Sequence, residues 1–191
     1  MLLLSALKEK QGNRKNFYIN KATFCPIELI GTQPTPKYAF KGATALVDGM
    51  SGIDNYATGD WVGFLDGDVT AVIDLGASNG NAAGKTVAEL PEIKHVSTHA
   101  VIDMSAWVAG CTGLTVSVSD DNKSFREVAA KEFPVEMDSR KKAVANYEVT
   151  FEPVKARYVK VLIKRTPALP KRNIRGEGGT PFLFIDEIEV E

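Results

Sequence analysis

Histidine, cysteine and tryptophan occur only twice each in this chain of 191 residues, and neither sign of charge prevails: 23 basic residues stand against 24 acidic ones. A net charge of −1 sets up no long-range field to collect polyanions, so nucleic acid is not an expected partner. No apolar run approaches the roughly 20 residues that cross a bilayer, and no membrane span is expected. The opening Met1-Leu2-Leu3-Leu4-Ser5-Ala6-Leu7 has no basic residue ahead of it and is short for the apolar core of a secretion signal. Cys25 and Cys111 allow either one disulfide or two buried thiols, with buried thiols the preferred reading. His95 and His99 have a spacing that suits zinc on a helix. Val96, Thr98 and Val101 around them favour a strand, where residues four apart lie about 13 Å apart and cannot share one ion.

Helical periodicity is also missing. After position 20 no segment of ten or more residues keeps a 3.6-residue apolar repeat, apart from a weak pattern near 139–146. Period-two patterns take its place. In Val69-Thr70-Ala71-Val72-Ile73-Asp74-Leu75 the residues Val69, Ala71, Ile73 and Leu75 share one face. In Leu114-Thr115-Val116-Ser117-Val118 the apolar residues Leu114, Val116 and Val118 are expected inside, with Thr115 and Ser117 largely outside. The polar run Ser119 to Ser124 supplies a hairpin turn before a strand opening at Phe125. Further strands are expected near 22–30, 92–103, 145–152, 156–165 and 182–190, seven or eight in all. Strands separated by Gly, Pro, Asn and Asp turns, without alternating helices, predict an all-β antiparallel sandwich or jelly roll. Residues 1–20 read as a lead-in and 21–191 as one domain.

Chemistry-bearing residues gather in two stretches. Ala45-Leu46-Val47-Asp48-Gly49 is followed by a polar loop to Asp60, then Trp61-Val62-Gly63-Phe64 and a strand ending Ile73-Asp74-Leu75-Gly76. Toward the C-terminus come Arg157-Tyr158-Val159-Lys160-Val161 and Ile185-Asp186-Glu187-Ile188-Glu189-Val190. Asp48, Asp54, Asn55 and Asp60 crowd one loop, and such acids solvate a turn as readily as they bind a cation. The basic run Lys171-Arg172-Asn173-Ile174-Arg175 reads as a solvated loop or an anion contact. Paired acids for glycosidic chemistry would be Asp66 with Asp68 or Asp186 with Glu187, but strand parity puts the second pair on opposite faces, and no catalytic residue is expected.

In order and spacing, this set resembles the coagulation factor 5/8 type C, or discoidin, domain. Within it the set is similar to the family 32 carbohydrate-binding modules at the C-terminal ends of bacterial glycoside hydrolases such as β-hexosaminidases. The resemblance runs from Lys21 to Glu191. It implies a galactose-binding-like jelly-roll β-sandwich of two antiparallel sheets and a non-catalytic module that targets an attached glycoside hydrolase to glycans. The parent protein would be secreted or periplasmic. It also implies a structural calcium ion, held here by Asp48, Glu187 and the Ala45 carbonyl, with Asp54 from the loop. That loop is longer than the family's. Ligand loops would lie at one end of the sandwich, but the arginine and asparagine that grip sugar in many members are missing between Met104 and Thr112. Trp107 stands there instead, as a platform for a sugar's C–H face or as a core residue. Tyr38, Arg172 and Arg175 should lie at the same end and are the other ligand candidates, whereas Trp61 reads as core. An alternative reading is a discoidin module that binds protein or lipid through exposed apolar spikes.

Overall fold

The computed structural model describes residues 17–77, 90–171 and 178–191. Nine strands are seen among them: β1 (Ile27–Gly31), β2 (Val62–Phe64), β3 (Val69–Asp74), β4 (Glu92–Asp103), β5 (Cys111–Ser119), β6 (Arg126–Glu132), β7 (Lys142–Lys155), β8 (Tyr158–Arg165) and β9 (Leu183–Val190). They form a five-stranded sheet in the order β1-β3-β8-β5-β6 and a four-stranded sheet in the order β2-β9-β4-β7. Every pairing between strands is antiparallel. This is the expected sandwich, and β4 has the predicted bounds.

The differences have local causes. The three-residue β2 escaped notice because it is too short to show a period. The weak helical pattern near 139–146 runs instead into β7, an edge strand that alternates exposed and covered residues from Lys142 onward. Thr115 and Ser117 are half-buried rather than largely exposed, because β5 lies between β8 and β6. The lead-in also ends earlier than position 20. Tyr18 N–H donates to the Gly49 carbonyl at 2.9 Å and Lys21 N–H to the Val190 carbonyl at 2.9 Å, so residues 17–20 belong to the folded domain.

The inner faces of the two sheets meet in a core that includes Val69, Ala71 and Ile73 from β3, Leu114 and Val116 from β5, and Ile185, Ile188 and Val190 from β9. Cys25 and Cys111 lie in that core as buried thiols, and burial pushes the Cys111 thiol well up. The connections β2–β3, β4–β5 and β8–β9 all lie at one end of the sandwich, as the antiparallel pairings require. A second apolar cluster sits there, on the outer side of the four-stranded sheet: Trp61, Val101, Val108 and Phe184, with Tyr38, Tyr56 and Phe182 against them.

Candidate functional site

The last strand departs from period two at one step. Ala100 of β4 pairs with Ile185, and Thr98 pairs with Ile188, so Asp186 and Glu187 together oppose the single residue His99. This is a β-bulge, which lets Ile185 and Ile188 both face the core and re-aims the two acids between them. Both are at most 1% exposed, and both grip the loop after the Asp-Gly turn. Gly49 N–H donates to Glu187 Oε2 at 3.0 Å, and Gly52 N–H donates to Asp186 Oδ2 at 2.7 Å. The loop can come this close because Gly49 adopts φ +74° and because a side chain at Gly52 would strike the Trp61 indole. Trp61 is fully buried, as expected, and its Nε1–H donates to the Ile53 carbonyl at 2.7 Å.

The structure brings Asp48 and Glu187 together. Burial first, and the charge of Asp48 second, push the Glu187 carboxyl up to about 9, against the lowering effect of the Gly49 N–H and of Asn20. Glu187 Oε1 is enclosed without a hydrogen-bond partner, and so is Asn20 Nδ2; the two are close enough to influence one another but are not aligned as a bond. Asp48 accepts from Met50 N–H at 3.1 Å and pairs with Lys41 Nζ at 2.9 Å. Ala45 is buried in the 3-10 turn Gly42–Val47 that leads into Asp48. An enclosed carboxylate oxygen with a second carboxylate beside it fits a hard cation. Among the described residues no three His, Cys, Asp or Glu side chains converge, so a calcium ion would take its other oxygens from backbone carbonyls and water. Asp54 does not join Asp48 and Glu187. It lines a separate cleft, of which neither is a wall.

Trp107 is 40% exposed, which separates the two readings open to it: its ring is not part of the core. It follows the 3-10 turn Met104–Ala106 in the left-handed conformation (φ 62°, ψ 37°). A bulky residue holds that conformation only where its surroundings fix it. Here Phe182 N–H donates to the Trp107 carbonyl at 2.8 Å, and Ala109 N–H to the Phe182 carbonyl at 3.0 Å. Asp103, at the start of the turn, accepts from Ser105 and Ala106 and pairs with Lys142 at 2.9 Å. Burial acts to raise its pKa, but the bonds from Ser105 and Lys142 outweigh it and hold the carboxyl below the usual range. Tyr38 does lie at this end, half-buried, with its ring edge-to-face on Phe182, Phe184 and Tyr56. Sequence reasoning passed over Tyr56 and Phe182; the only signal was that aromatics stood in loops otherwise polar. Arg172 and Arg175 lie outside the described residues.

The separate cleft has a volume of about 470 Å³ on the outer face of the four-stranded sheet. Ser51, Asp54, His99 and Asp186 give it polar walls, and Ile53, Ala143 and Val144 give it apolar ones. His99 Nδ1 lies 3.3 Å from Asp186 Oδ1. The contact with Asp186 raises the imidazole pKa and outweighs the opposing effect of burial.

No protein-family model and no curated protein matches this sequence. Solved structures do match in fold. Chitosan-binding module 1, derived from a chitosanase/glucanase of Paenibacillus sp. IK-5, is similar with a TM-score of 0.53 at 16% identity, covering 91% of this chain and 99% of that one. A selenomethionine-labelled point mutant of the same module gives 0.50 at 12% identity, over 90% and 96% of the two chains. A family 32 module from a family 31 glycoside hydrolase of Clostridium perfringens gives 0.46 at 13% identity, over 91% and 93%. In architecture, then, the chain is a jelly-roll β-sandwich of the kind that carbohydrate-binding modules have.

Proposed function

We propose that the domain is a non-catalytic carbohydrate-binding module that holds glycans for an attached glycoside hydrolase, in a protein working outside the cytoplasm. One observation carries this reading: an exposed indole, Trp107, fixed on a loop that is bonded to Phe182 and set beside an aromatic cluster. Such a ring can cover the apolar C–H face of a pyranose at little entropic cost, since its backbone is already ordered. The paired acids offer no glycosidase geometry. Asp186 and Glu187 are buried and bonded to backbone N–H groups, and Asp68 accepts from Arg165 N–H at 3.0 Å. Weak binding would suffice, because tethering raises the local concentration of substrate around the catalytic partner.

The Trp107→Ala variant is the test. On an exposed ring the substitution should move the melting temperature by no more than about 2 °C. Glycan affinity measured by calorimetry should fall at least about tenfold, or roughly 1.4 kcal/mol. A large fall in melting temperature, or unchanged affinity, would overturn the assignment. A second reading, adhesion to a lipid surface, has its own support in Phe24 and Phe40, about half exposed and both held at positive φ. Liposome sedimentation with no signal on a glycan array would establish that reading instead.

A structural calcium ion belongs to the same proposal, with Asp48, Glu187 and the Ala45 carbonyl as its protein ligands. When bound it would neutralise the two carboxylates and tie the Asp-Gly loop to the last strand. Binding to the folded state alone contributes about 2.7 kcal/mol at a hundredfold excess over Kd. Chelator should therefore lower the melting temperature of the parent, and should leave Asp48→Ala unaffected. Identical melts of the parent with and without chelator would exclude the ion.

A further inference from the structure

We propose that the cleft between the Ser51–Asp54 loop and strands β4, β7 and β9 is a second ligand site, one that takes a sugar ring bearing a protonated amine. Its volume of about 470 Å³ is in the range of small-molecule sites, and a bare metal ion would leave most of it empty. Its geometry is built in. The bulge turns Asp186 toward His99, and N–H groups of Gly52 and Glu187, each at 2.7 Å, fix the carboxylate. His99 keeps 23% of its side chain exposed, while its Nδ1 is enclosed near Asp186 without an aligned hydrogen bond. Ile53, Ala143 and Val144 supply an apolar wall for the C–H face of a ring.

The choice of ligand follows from the charge of the walls. Asp54 and Asp186 carry carboxylates, Ser51 accepts as well as donates, and among the described residues neither lysine nor arginine lines the cleft. Lys142, which precedes the wall residues Ala143 and Val144 on β7, pairs with Asp103 at 2.9 Å. A uronate, sulfate or phosphate would meet the carboxylates with only His99, already turned to Asp186, to set against them, whereas an ammonium group meets acceptors. The acidic lining also continues along the sheet. Ser97, two residues before His99 on the same strand, pairs with Glu148 on β7 and with Glu189 on β9. A chain of amino sugars should accordingly bind better than a single one.

Three probes test this by calorimetry at low salt: a β-1,4-linked glucosamine trimer, its fully N-acetylated counterpart, and a galacturonate trimer. The glucosamine trimer should bind at least about tenfold more tightly than the acetylated one, and the galacturonate trimer should show no heat. Asp54→Asn should weaken the glucosamine trimer at least fivefold, and Val144→Lys, which sets a cation on the wall, should abolish its binding. Trp107→Ala should retain it, so that failure at the aromatic end and failure in the cleft are distinguishable. Equal affinity for the amine and the amide, or loss of amine binding in Trp107→Ala with none in Asp54→Asn, would overturn the proposal.

Discussion

Asp186→Ala lowers the free energy of unfolding by about 3–5 kcal/mol, the range expected when one partner is removed from a buried ionic network. Asp186 is fully buried, accepts from the Gly52 and Glu187 N–H groups at 2.7 Å each, and faces His99 at 3.3 Å. Alanine leaves the Gly52 and Glu187 donors enclosed without their acceptor, and a buried donor stripped of its partner keeps its full desolvation cost. Domains of this size are stable by only about 5–15 kcal/mol, so the loss is a large part of the whole. Urea titration should show a lower midpoint with an unchanged slope, since the folded surface is the same. Asp186→Asn keeps the shape and an acceptor for Gly52 and should lose less. A loss below about 1 kcal/mol in the alanine variant would mean that the bulge does not hold the loop.

The sheets were legible in the sequence where both the period and its meaning are local. β3 reads from Val69, Ala71 and Ile73 because one side of each strand meets the other sheet, and all three residues are buried, as is Leu75 just beyond its end. Thr115 and Ser117 are less exposed than the alternation implies, because alternation shows which side is covered by the core but not whether a strand has neighbours on both edges. β2 stayed hidden for a related reason. Its three residues, Val62, Gly63 and Phe64, are all buried and so show no contrast along the strand.

The site was legible residue by residue and not as an arrangement. Parity placed Asp186 and Glu187 on opposite faces, and the rule holds only for a regular ladder. The bulge opposite His99 adds a residue to one strand, and nothing local in Ile185-Asp186-Glu187-Ile188 marks it. The one hint is that Ile185 and Ile188 stand three apart, where a regular period of two would set them two or four apart. Asp54 shares a loop with Asp48 in the sequence, yet the turns between them carry it round to the cleft with His99. Trp107 could be read both ways from sequence, since a tryptophan among small residues suits a core or a platform. Its exposure depends on the tie between its loop and Phe182, a contact 75 residues away in the chain.

Glu187→Gln makes the calcium-free protein more stable than the parent at pH 8, by about 3 kcal/mol or more. The sign follows from the raised carboxyl. Its pKa in the folded chain is about 9, against a reference of 4.5. Between those values the unfolded chain has lost this proton while the folded chain still holds it. The stability that Glu187 contributes is therefore complete below about pH 4.5 and is lost as pH rises toward 9, at about 1.4 kcal/mol per pH unit. His99, also raised, adds a loss of the same sign above its reference of 6.5. Asp103 and Asp121, both lowered, act in the opposite direction and cost stability only as pH falls below about 3.8. The chelated parent should thus be most stable near pH 4–5 and should weaken steadily toward pH 8.5. Glutamine keeps an acceptor for the Gly49 N–H, carries no titrating proton, and should remove the Glu187 part of that slope while leaving the part due to His99. The proposed calcium ion would favour the ionised carboxylate, so any stabilisation it gives the parent should be larger at pH 8 than at pH 6, with a proton released on binding, and should vanish in the variant. Urea midpoints in chelator at pH 5, 7 and 8.5 decide the matter: parallel curves for parent and variant would show that Glu187 does not carry this proton.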